Sequence, residues 1–387
     1  MKLFNELSLS KDLIKFPSVT PKDAGAIKFL SKKLKLLGFK CTILKFKDKK
    51  KKSAPILNLY AKLGKGSPNL CYAGHTDVVP PGNYNDWTIN PFKPKIKNGY
   101  LVGRGANDMK SSIACFVSAV SEYLKKNPKF PGSISFLITG DEEGHAVNGT
   151  KKVVDYLKKR REKINFCIVG EPTNPNKLGE MIKIGRRGSL SGTLKIFGTQ
   201  GHIAYPHLNN NPINTLVEIC QNLKAKPFDK GNKNFQPSNL EFTSINVKNN
   251  AHNVIPASAQ AKFNIRYNNL HTSSSLKRKI KFNVSKITKK NKCKFTIEFL
   301  SNGEAFLTKP EKTIFVAKKI IKKVTNIDPS FSTTGGTSDA RFIKDIAPCL
   351  EFGLVNKTMH KVDECVALSD LKKLKKIYFL ILSEYFK

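Results

Sequence analysis

The chain has 387 residues, a length that predicts two domains. Of these residues 40% are hydrophobic and 9% aromatic, a composition that is typical of a globular protein. No apolar run approaches the roughly 20 residues that a helix needs to span a bilayer. Residues 1–18 carry charges throughout, which excludes a secretory signal with an apolar core of about 7–15 residues. We therefore expect a cytoplasmic protein that does not insert into a membrane.

The formal charge of the chain is +39, from 68 Lys and Arg against 29 Asp and Glu. Only eight of these basic residues are arginine, and the lysines are spread along the whole chain. Because nucleic-acid sites usually use arginine for bidentate contacts, solvated surface lysines are the better interpretation, and we expect no nucleic-acid partner. The run Lys47–Lys52 is expected to be an exposed hairpin or loop. The positive field would still attract an anionic substrate.

Strand-like and helix-like segments alternate in the first half of the chain. Residues 69–79, 133–139 and 164–170 are predicted to form buried strands, the first running into a loop. Apolar residues recur at helical spacing over 109–126, and a second helix is predicted over 150–160. This order indicates an α/β fold, with a mostly parallel sheet flanked by helices.

The middle of the chain has a different pattern. Residues 181–198 and 252–267 are predicted to be strands of an antiparallel sheet, with a helix over 211–223 between them. Two helices and a few strands of this kind could form a small α+β domain inserted into the first one.

The alternating pattern returns after about residue 300, with helices predicted over 311–325 and 371–386 and a strand over 348–355. We therefore predict a discontinuous catalytic domain that is interrupted by the inserted domain. The catalytic domain is expected to cover residues 1–182 and 300–387, and the inserted domain residues 183–299.

Five potential metal ligands each stand just beyond a predicted strand or at a helix start: His75, Asp108, Glu143, Glu171 and His360. Each alone has an ordinary explanation, such as a capped strand end for His75 or a helix N-cap for Asp108. In open α/β sheets, however, ligands bind at the carboxyl ends of the strands. Two histidines and three carboxylates suit a pair of borderline cations such as zinc, with one carboxylate bridging them.

Two further carboxylates accompany these ligands. Asp77 follows His75 by two residues, on the same face of an extended strand, where it could orient the histidine. Glu142 precedes Glu143 in GDEEG, and carboxylates this close repel one another unless a cation gathers them. One glutamate could bind a metal while its neighbour takes a proton from water. A solvated acidic loop is the alternative, and it is less expected in a chain this poor in acidic residues.

Ten segments together resemble the zinc aminoacylase and carboxypeptidase family of co-catalytic metallohydrolases, over nearly the whole chain. Five are shared widely in that family: GHTDVVPPG, DWTINPF, GRGANDMKSS, GDEEG and VGEPT. Five are more discriminating: RRGSLSG, GHIAYPHLNNNP, NVIP, TTGGTSDARF and EFGLVNKTMHKVDE. The second group favours hydrolysis of an N-succinyl derivative of diaminopimelate over that of N-acetylornithine. The usual pattern has a small residue at Asn107 and glycine at Ser111, but neither position is a ligand.

The resemblance implies a role for each candidate residue. His75 and Glu171 would bind one zinc ion, Glu143 and His360 would bind a second, and Asp108 would bridge them. Cobalt could replace zinc. Asp77 would hold His75, and Glu142 would be the general acid and base. His202 would reach across a dimer interface to the substrate carbonyl, so the resemblance also implies a homodimer formed through the inserted domain.

The implied substrate is a small molecule with three carboxylates, which arginines and backbone N–H groups should bind. The candidates in chain order are Arg187, Ser189, Asn253, Arg266, Gly335, Gly336, Thr337 and Ser338. The two arginines could instead form structural ion pairs, and TTGGTSD could be only a tight turn. An acetylornithine deacetylase, an aminoacylase or a dipeptidase would share the zinc motifs. An alternative of another class is a non-catalytic binding protein on the same fold.

Overall fold

The computed structural model describes residues 2–47, 54–225 and 227–387, which form two compact units. The first unit contains Met1–Ile184, Thr308–Ser332 and Ser338–Lys387, and the second contains Gly185–Leu307 and Thr333–Thr337. The loop that we expected over Lys47–Lys52 lies, apart from Lys47, outside the described residues. The chain therefore passes between the units four times.

The helices and strands of the described residues are numbered in chain order. The helices are α1 Glu6–Ile14, α2 Ala26–Lys35, α3 Lys110–Lys126, α4 Thr150–Lys159, α5 Pro212–Ala225, α6 Ser273–Lys290, α7 Lys312–Thr325, α8 Ala340–Ile343 and α9 Leu368–Tyr385. The strands are β1 Lys40–Phe46, β2 Ile56–Gly64, β3 Asn69–His75, β4 Lys95–Lys97, β5 Tyr100–Val102, β6 Ser133–Thr139, β7 Phe166–Val169, β8 Met181–Lys183, β9 Gly185–Arg186, β10 Gly188–Phe197, β11 Gly201–His202, β12 Asn239–Asn246, β13 Val254–Ile255, β14 Ser258–Tyr267, β15 Lys294–Gly303, β16 Phe306–Leu307, β17 Ser330–Ser332, β18 Cys349–Glu351 and β19 Cys365–Ala367.

An eight-stranded sheet forms the centre of the first unit, in the order β1-β2-β6-β3-β7-β18-β8-β17. Its central strands β6, β3, β7 and β18 run parallel to one another, whereas at one edge β2 is antiparallel to β6 and β1 is antiparallel to β2. Every residue of β3, β6 and β7 is buried, as expected of parallel strands covered on both faces. The predicted α/β class with a mainly parallel sheet is confirmed.

Aromatic packing fixes helices α3 and α9 to this sheet. The Tyr72 ring on β3 stacks on Phe116 of α3 with ring centroids 4.3 Å apart. Phe136 of β6 meets Phe116 edge-on at 5.3 Å, and so does Tyr378 of α9. All four rings are buried, so they form a close-packed cluster that orients β3 and β6. The strand that ends in His75 is therefore held rigidly.

The second unit is built on a four-stranded antiparallel sheet in the order β12-β14-β10-β15. Strands β10 and β14 alternate buried and more exposed residues, and their buried side chains pack with those of α5 and α6. The predicted antiparallel strands and the helix between them are thus confirmed in type.

Parts of both predicted strand segments were wrong in their sheet: residues 185–186 form β9 and pair with β16, and residues 254–255 form β13 and pair with β11. Residues 181–183, which we placed in the antiparallel sheet, form β8 and pair with β17 and β18 in the first unit's sheet. The boundary between the units follows at Ile184 and Gly185. Strand periodicity reports which residues are extended, but not which sheet they join, so the pattern over 181–198 gave no sign of this division.

The described residues also form smaller sheets, among them the two-stranded pairs β11-β13 and β16-β9. Strands β4, β5 and β19 form a separate three-stranded antiparallel sheet in the first unit. Within the described ranges, no helix combines the length and the apolar character required to cross a membrane.

Candidate metal centre

Three candidate segments follow neighbouring parallel strands at the same edge of the large sheet. His75 is the last residue of β3 and lies opposite Thr139, the last residue of β6, which is followed by Glu142 and Glu143. Strand β7 ends at Val169, two residues before Glu171. The carboxyl ends of these strands therefore bring the three segments together, as the sequence led us to expect.

Three groups of three side chains in the described residues could hold a metal ion, and two of them together contain all five candidate ligands, whereas the third is His75, Glu142 and Glu143. Potential ligand atoms of His75, Asp108 and Glu171 lie within 4.8 Å of one another, and so do those of Asp108, Glu143 and His360. Asp108 belongs to both sets. All five residues lie in the first unit. This is the pairing that the resemblance implied, with Asp108 between the two positions.

The Asp108 carboxylate lies between the two histidine rings. Its Oδ1 is 3.1 Å from Nε2 of His75, and its Oδ2 is 3.3 Å from Nε2 of His360. Nε2 of His360 is also 2.9 Å from Oε1 of Glu143, and Nε2 of His75 is 3.8 Å from Oε1 of Glu171. The alternative role as a helix N-cap does not apply, because Met109 occupies that position of α3.

A backbone carbonyl selects the tautomer of His75. Nδ1 of His75 lies 2.9 Å from the carbonyl oxygen of Asp77, so the neutral ring donates from Nδ1 and keeps the lone pair of Nε2. Nε2 is the nitrogen that faces Asp108 and Glu171. A ligating histidine commonly donates its other ring N–H in this way, which fixes the ring for a metal.

The Asp77 carboxylate contacts the glutamate loop more closely than it contacts His75. Its Oδ1 lies 3.7 Å from Nδ1 of His75, whereas Oδ1 and Oδ2 accept the backbone N–H groups of Glu142 and Glu143 at 3.2 and 3.0 Å. Burial raises the pKa of Asp77 to about 7, although His75 and these N–H groups oppose that effect. The Asp77 carboxylate therefore positions the backbone of Glu142 and Glu143, a role that the sequence did not indicate.

The charges in this cluster indicate a strongly negative site. Burial alone would lower the pKa of His75, but Asp108, Glu171 and Asp77 raise it well above the usual range. Hydrogen bonds with Asp108 and Glu143 raise the pKa of His360 to about 10. Burial and the neighbouring Glu171 raise the pKa of Glu142 well above normal. In a chain of charge +39, so dense a group of acids is the arrangement expected around cations.

The substrate-binding candidates lie in the second unit, except for Ser338 in the first. Ser189 of β10 lies opposite Arg266 of β14, and Arg266 in turn lies opposite Asn239 of β12. Arg187 donates from Nη1 to Oδ1 of Asn239 at 3.0 Å. The structure therefore brings Ser189 and Arg266 of neighbouring strands, and Arg187 just before β10, into one polar group.

His202 and Asn253 are also neighbours in the second unit. His202 pairs with Val254 between β11 and β13, and the N–H of Ile203 donates to the Asn253 carbonyl at 3.1 Å. Both candidates are exposed. Nδ1 of His202 accepts the N–H of Ala204 at 3.0 Å, so a neutral His202 carries its proton on Nε2 and can donate from there.

The glycine segment of TTGGTSD is held by an arginine that we did not select. Arg186 Nη1 donates to the carbonyls of Thr334 and Gly336 at 3.3 and 3.2 Å. Gly335 has φ +99°, and a Cβ there would lie 2.7 Å from Nη1 of Arg186. Glycine is thus required at this turn. Thr337 follows in the same unit and is partly buried, whereas Ser338 is buried in the first unit and donates to Glu351 at 2.7 Å.

Comparisons with known proteins agree with the family resemblance seen in the sequence. Residues 71–384 match the profile of peptidase family M20/M25/M40. The chain is 64% identical over 386 residues to a protein of Pelagibacter ubique named succinyl-diaminopimelate desuccinylase, with 100% of both chains covered. Its fold resembles aminopeptidase PepT from Bacillus cereus, with a TM-score of 0.81, 21% identity and 100% of both chains covered. It also resembles an M20 family metallo-carboxypeptidase from Sulfolobus solfataricus, with a TM-score of 0.77, 20% identity and 99% of both chains covered.

Proposed function

Because the chain belongs to peptidase family M20/M25/M40, we propose that it hydrolyses N-succinyl-LL-2,6-diaminopimelate to succinate and LL-2,6-diaminopimelate, a step in making diaminopimelate and lysine. The observation that carries this proposal is the 64% identity, over the full length, to a protein named for that reaction. A second relative with the same name, from Parvibaculum lavamentivorans, is 48% identical over 383 residues. Neither a sister N-acyl hydrolase nor a non-catalytic binding protein is favoured by these relatives.

The donor set fits two zinc ions, with cobalt as a substitute. His75 and Glu171 would hold one ion, Glu143 and His360 would hold the other, and Asp108 would bridge them, since the two sets share only that residue. Imidazole and carboxylate are ligands that zinc accepts, and cobalt occupies the same kind of site. When bound, zinc polarises a carbonyl group and lowers the pKa of water.

Glu142 would move the proton in this reaction. Its ligand atoms lie within 4.8 Å of those of His75 and Glu143, and Asp77 holds its backbone N–H at 3.2 Å. A carboxyl group placed beside the metal ligands can take a proton from the attacking water and return it to the departing amine. Asp77 would maintain the position of both glutamates during this transfer.

His202 would stabilise the negative charge that develops on the substrate carbonyl oxygen. Its Nδ1 is occupied as an acceptor by the N–H of Ala204, so Nε2–H is the donor that remains. Arg187, Ser189 and Arg266 would bind a substrate carboxylate, because they form one group rich in donors. Asn253 and the segment of Gly335, Gly336, Thr337 and Ser338 would supply further donors to the other carboxylates.

The second unit would also be the place where two copies of the chain meet. Three large hydrophobic side chains beside His202 are strongly exposed: Ile203 at 55%, Tyr205 at 56% and Leu208 at 67%. Burying them against a second copy would remove this apolar surface from water. We expect a homodimer in sedimentation experiments and a monomer for Leu208→Asp; a wild-type monomer at micromolar concentration would contradict the proposal.

A location in the reducing cytoplasm would suit the eight cysteines, whose thiols are unpaired.

The decisive experiment measures succinate released by the purified protein. N-succinyl-LL-2,6-diaminopimelate and N-acetylornithine are supplied separately to protein that has been stripped with a chelator, and then to the same protein after zinc is restored. We expect succinate release only with zinc, and little action on N-acetylornithine. Preferential hydrolysis of N-acetylornithine would overturn the proposed substrate, and full activity without any metal would overturn the metal centre.

A further inference from the structure

Arg104 and Glu364 form a buried ion pair in the first unit, and neither belongs to the candidate ligands. Nη1 of Arg104 lies 2.8 Å from Oε2 of Glu364, and the two side chains are 2% and 1% exposed. Two buried charges lose much hydration free energy, so such a pair is tolerated only where further hydrogen bonds satisfy both groups. The further hydrogen bonds of this pair go to two segments, one of which carries Asp108 and the other His360.

The Glu364 carboxylate binds the loop that ends in Asp108. Its Oε2 accepts the N–H of Gly105 at 3.0 Å, and its Oε1 accepts the N–H groups of Asn107 and Asp108 at 2.8 and 3.0 Å. Hydrogen bonds to a charged acceptor are about twice as strong as neutral ones. The backbone of Asp108 is therefore anchored by a carboxylate 256 residues later in the chain.

The Arg104 guanidinium binds the loop that carries His360. It donates to the carbonyl oxygens of Lys361 at 3.2 Å, of His360 at 3.4 Å and of Pro80 at 3.4 Å. His360 has φ +63°, a left-handed conformation that residues other than glycine adopt only where their surroundings hold them. One of the contacts that hold it is the hydrogen bond from Arg104 to the carbonyl of His360 itself.

Only an arginine could make this set of contacts. Its planar fork reaches Glu364 and three carbonyl groups at once, whereas the single ammonium group of lysine has no such fixed fork. The ring of Trp87 lies 5.1 Å from the guanidinium carbon and covers it. The chain uses lysine for most of its basic positions, so an arginine here is consistent with a geometric requirement.

We propose that the Arg104–Glu364 pair positions Asp108 relative to His360, and thereby controls the affinity of the metal position formed by Asp108, Glu143 and His360. The pair holds two of the three ligands of this position, but only one of the three at the position of His75, Asp108 and Glu171. Its loss therefore weakens the first position more than the second. This inference rests on the proposed metal centre, and it is independent of which substrate is hydrolysed.

The test is a titration of metal-free, full-length Glu364→Gln with zinc. The binding is measured by calorimetry in the presence of a competing chelator. Glutamine keeps the size of the side chain, but its NH₂ group cannot accept the backbone N–H groups. We expect the zinc whose binding requires His360 to lose about 10–100-fold in affinity, the range found when a residue that supports a metal ligand is removed. The zinc at the position of His75, Asp108 and Glu171 should lose clearly less.

The matched control is Asp229→Asn. The Asp229 carboxylate also accepts backbone N–H groups, from Gly231 at 2.7 Å and Ser238 at 3.3 Å. It lies in the second unit, which contributes none of the candidate ligands. We expect both zinc affinities of this variant to equal those of the wild type.

A second variant, Arg104→Lys, keeps the positive charge but loses the fork. It should show the same selective loss at the position of Asp108, Glu143 and His360, and it decides the question if Glu364→Gln does not fold. Equal loss at both zincs, or unchanged affinities, would show that the pair is merely structural and would overturn the inference, as would wild-type protein that binds no zinc. Wild-type protein that holds two zincs without releasing succinate would refute only the proposed substrate.

Discussion

Replacing Glu142 with glutamine should lower kcat by roughly 10²–10⁴-fold while both zinc ions stay bound, because that range is what a positioned general acid–base group contributes. Glutamine has nearly the shape of glutamate, and the backbone N–H of residue 142 would still donate to Asp77. Only the ability to take and return a proton is lost. The measurements are steady-state hydrolysis of the succinyl substrate, and zinc content by elemental analysis.

The neighbouring residue supplies the matched control, because Glu143 is one position away and is held by the same Asp77 carboxylate. Glu143→Gln should reduce the bound zinc from two ions to one, since Glu143 lies 2.9 Å from His360 in the ligand set that they share. If Glu142→Gln lost zinc and Glu143→Gln kept both ions, the roles that we assign to the two glutamates would have to be exchanged.

Asp108→Ala should weaken the binding of both zinc ions, each by more than about 100-fold, which is the upper end of the loss caused by removing only a supporting residue. The reason is geometric: Asp108 is the one residue that both ligand sets contain, and its two oxygens lie 3.1 and 3.3 Å from different histidines. The measurement is a zinc titration of the metal-free variant in the presence of a competing chelator.

His360→Ala provides the contrast to Asp108→Ala. His360 belongs to only one of the two sets, and its side chain is 44% exposed, so its removal should abolish one zinc position and preserve the other. A variant Asp108→Ala that still bound one zinc with wild-type affinity would contradict the bridging role.

The parts of the fold that could be predicted from sequence are those whose signal is local. Strands β3, β6 and β7 appear as continuous apolar runs because parallel strands are buried on both faces. Strands β4, β5 and β19 were not predicted. They are three residues long, β4 is fully exposed, and β19 lies more than 260 residues after β5, so no local pattern marks their pairing.

Most of the candidate ligands could be found for a similar reason, since His75, Glu143 and Glu171 stand at or just beyond the end of a strand. Glu364 could not, because its importance comes from three backbone N–H groups about 256 residues away, and backbone groups leave no trace in a sequence. The adjacent residues Arg186 and Arg187 show a related limit of prediction from sequence. Arg187 was the candidate, but the guanidinium that holds the glycine turn belongs to Arg186, and the sequence does not show which of two adjacent arginines reaches that turn.

The four passages of the chain between the two units have a consequence for the order in which the protein is synthesised. A ribosome completes His75, Asp108, Glu143 and Glu171 before the second unit begins at Gly185, but His360 only after that unit has been left for the last time at Thr337. Until then a nascent chain contains the first set of ligands and an incomplete second set. The Glu364 carboxylate that anchors Asp108 arrives four residues later still. At the proposed metal centre, a second ion would therefore be enclosed only after His360 has been added to the chain.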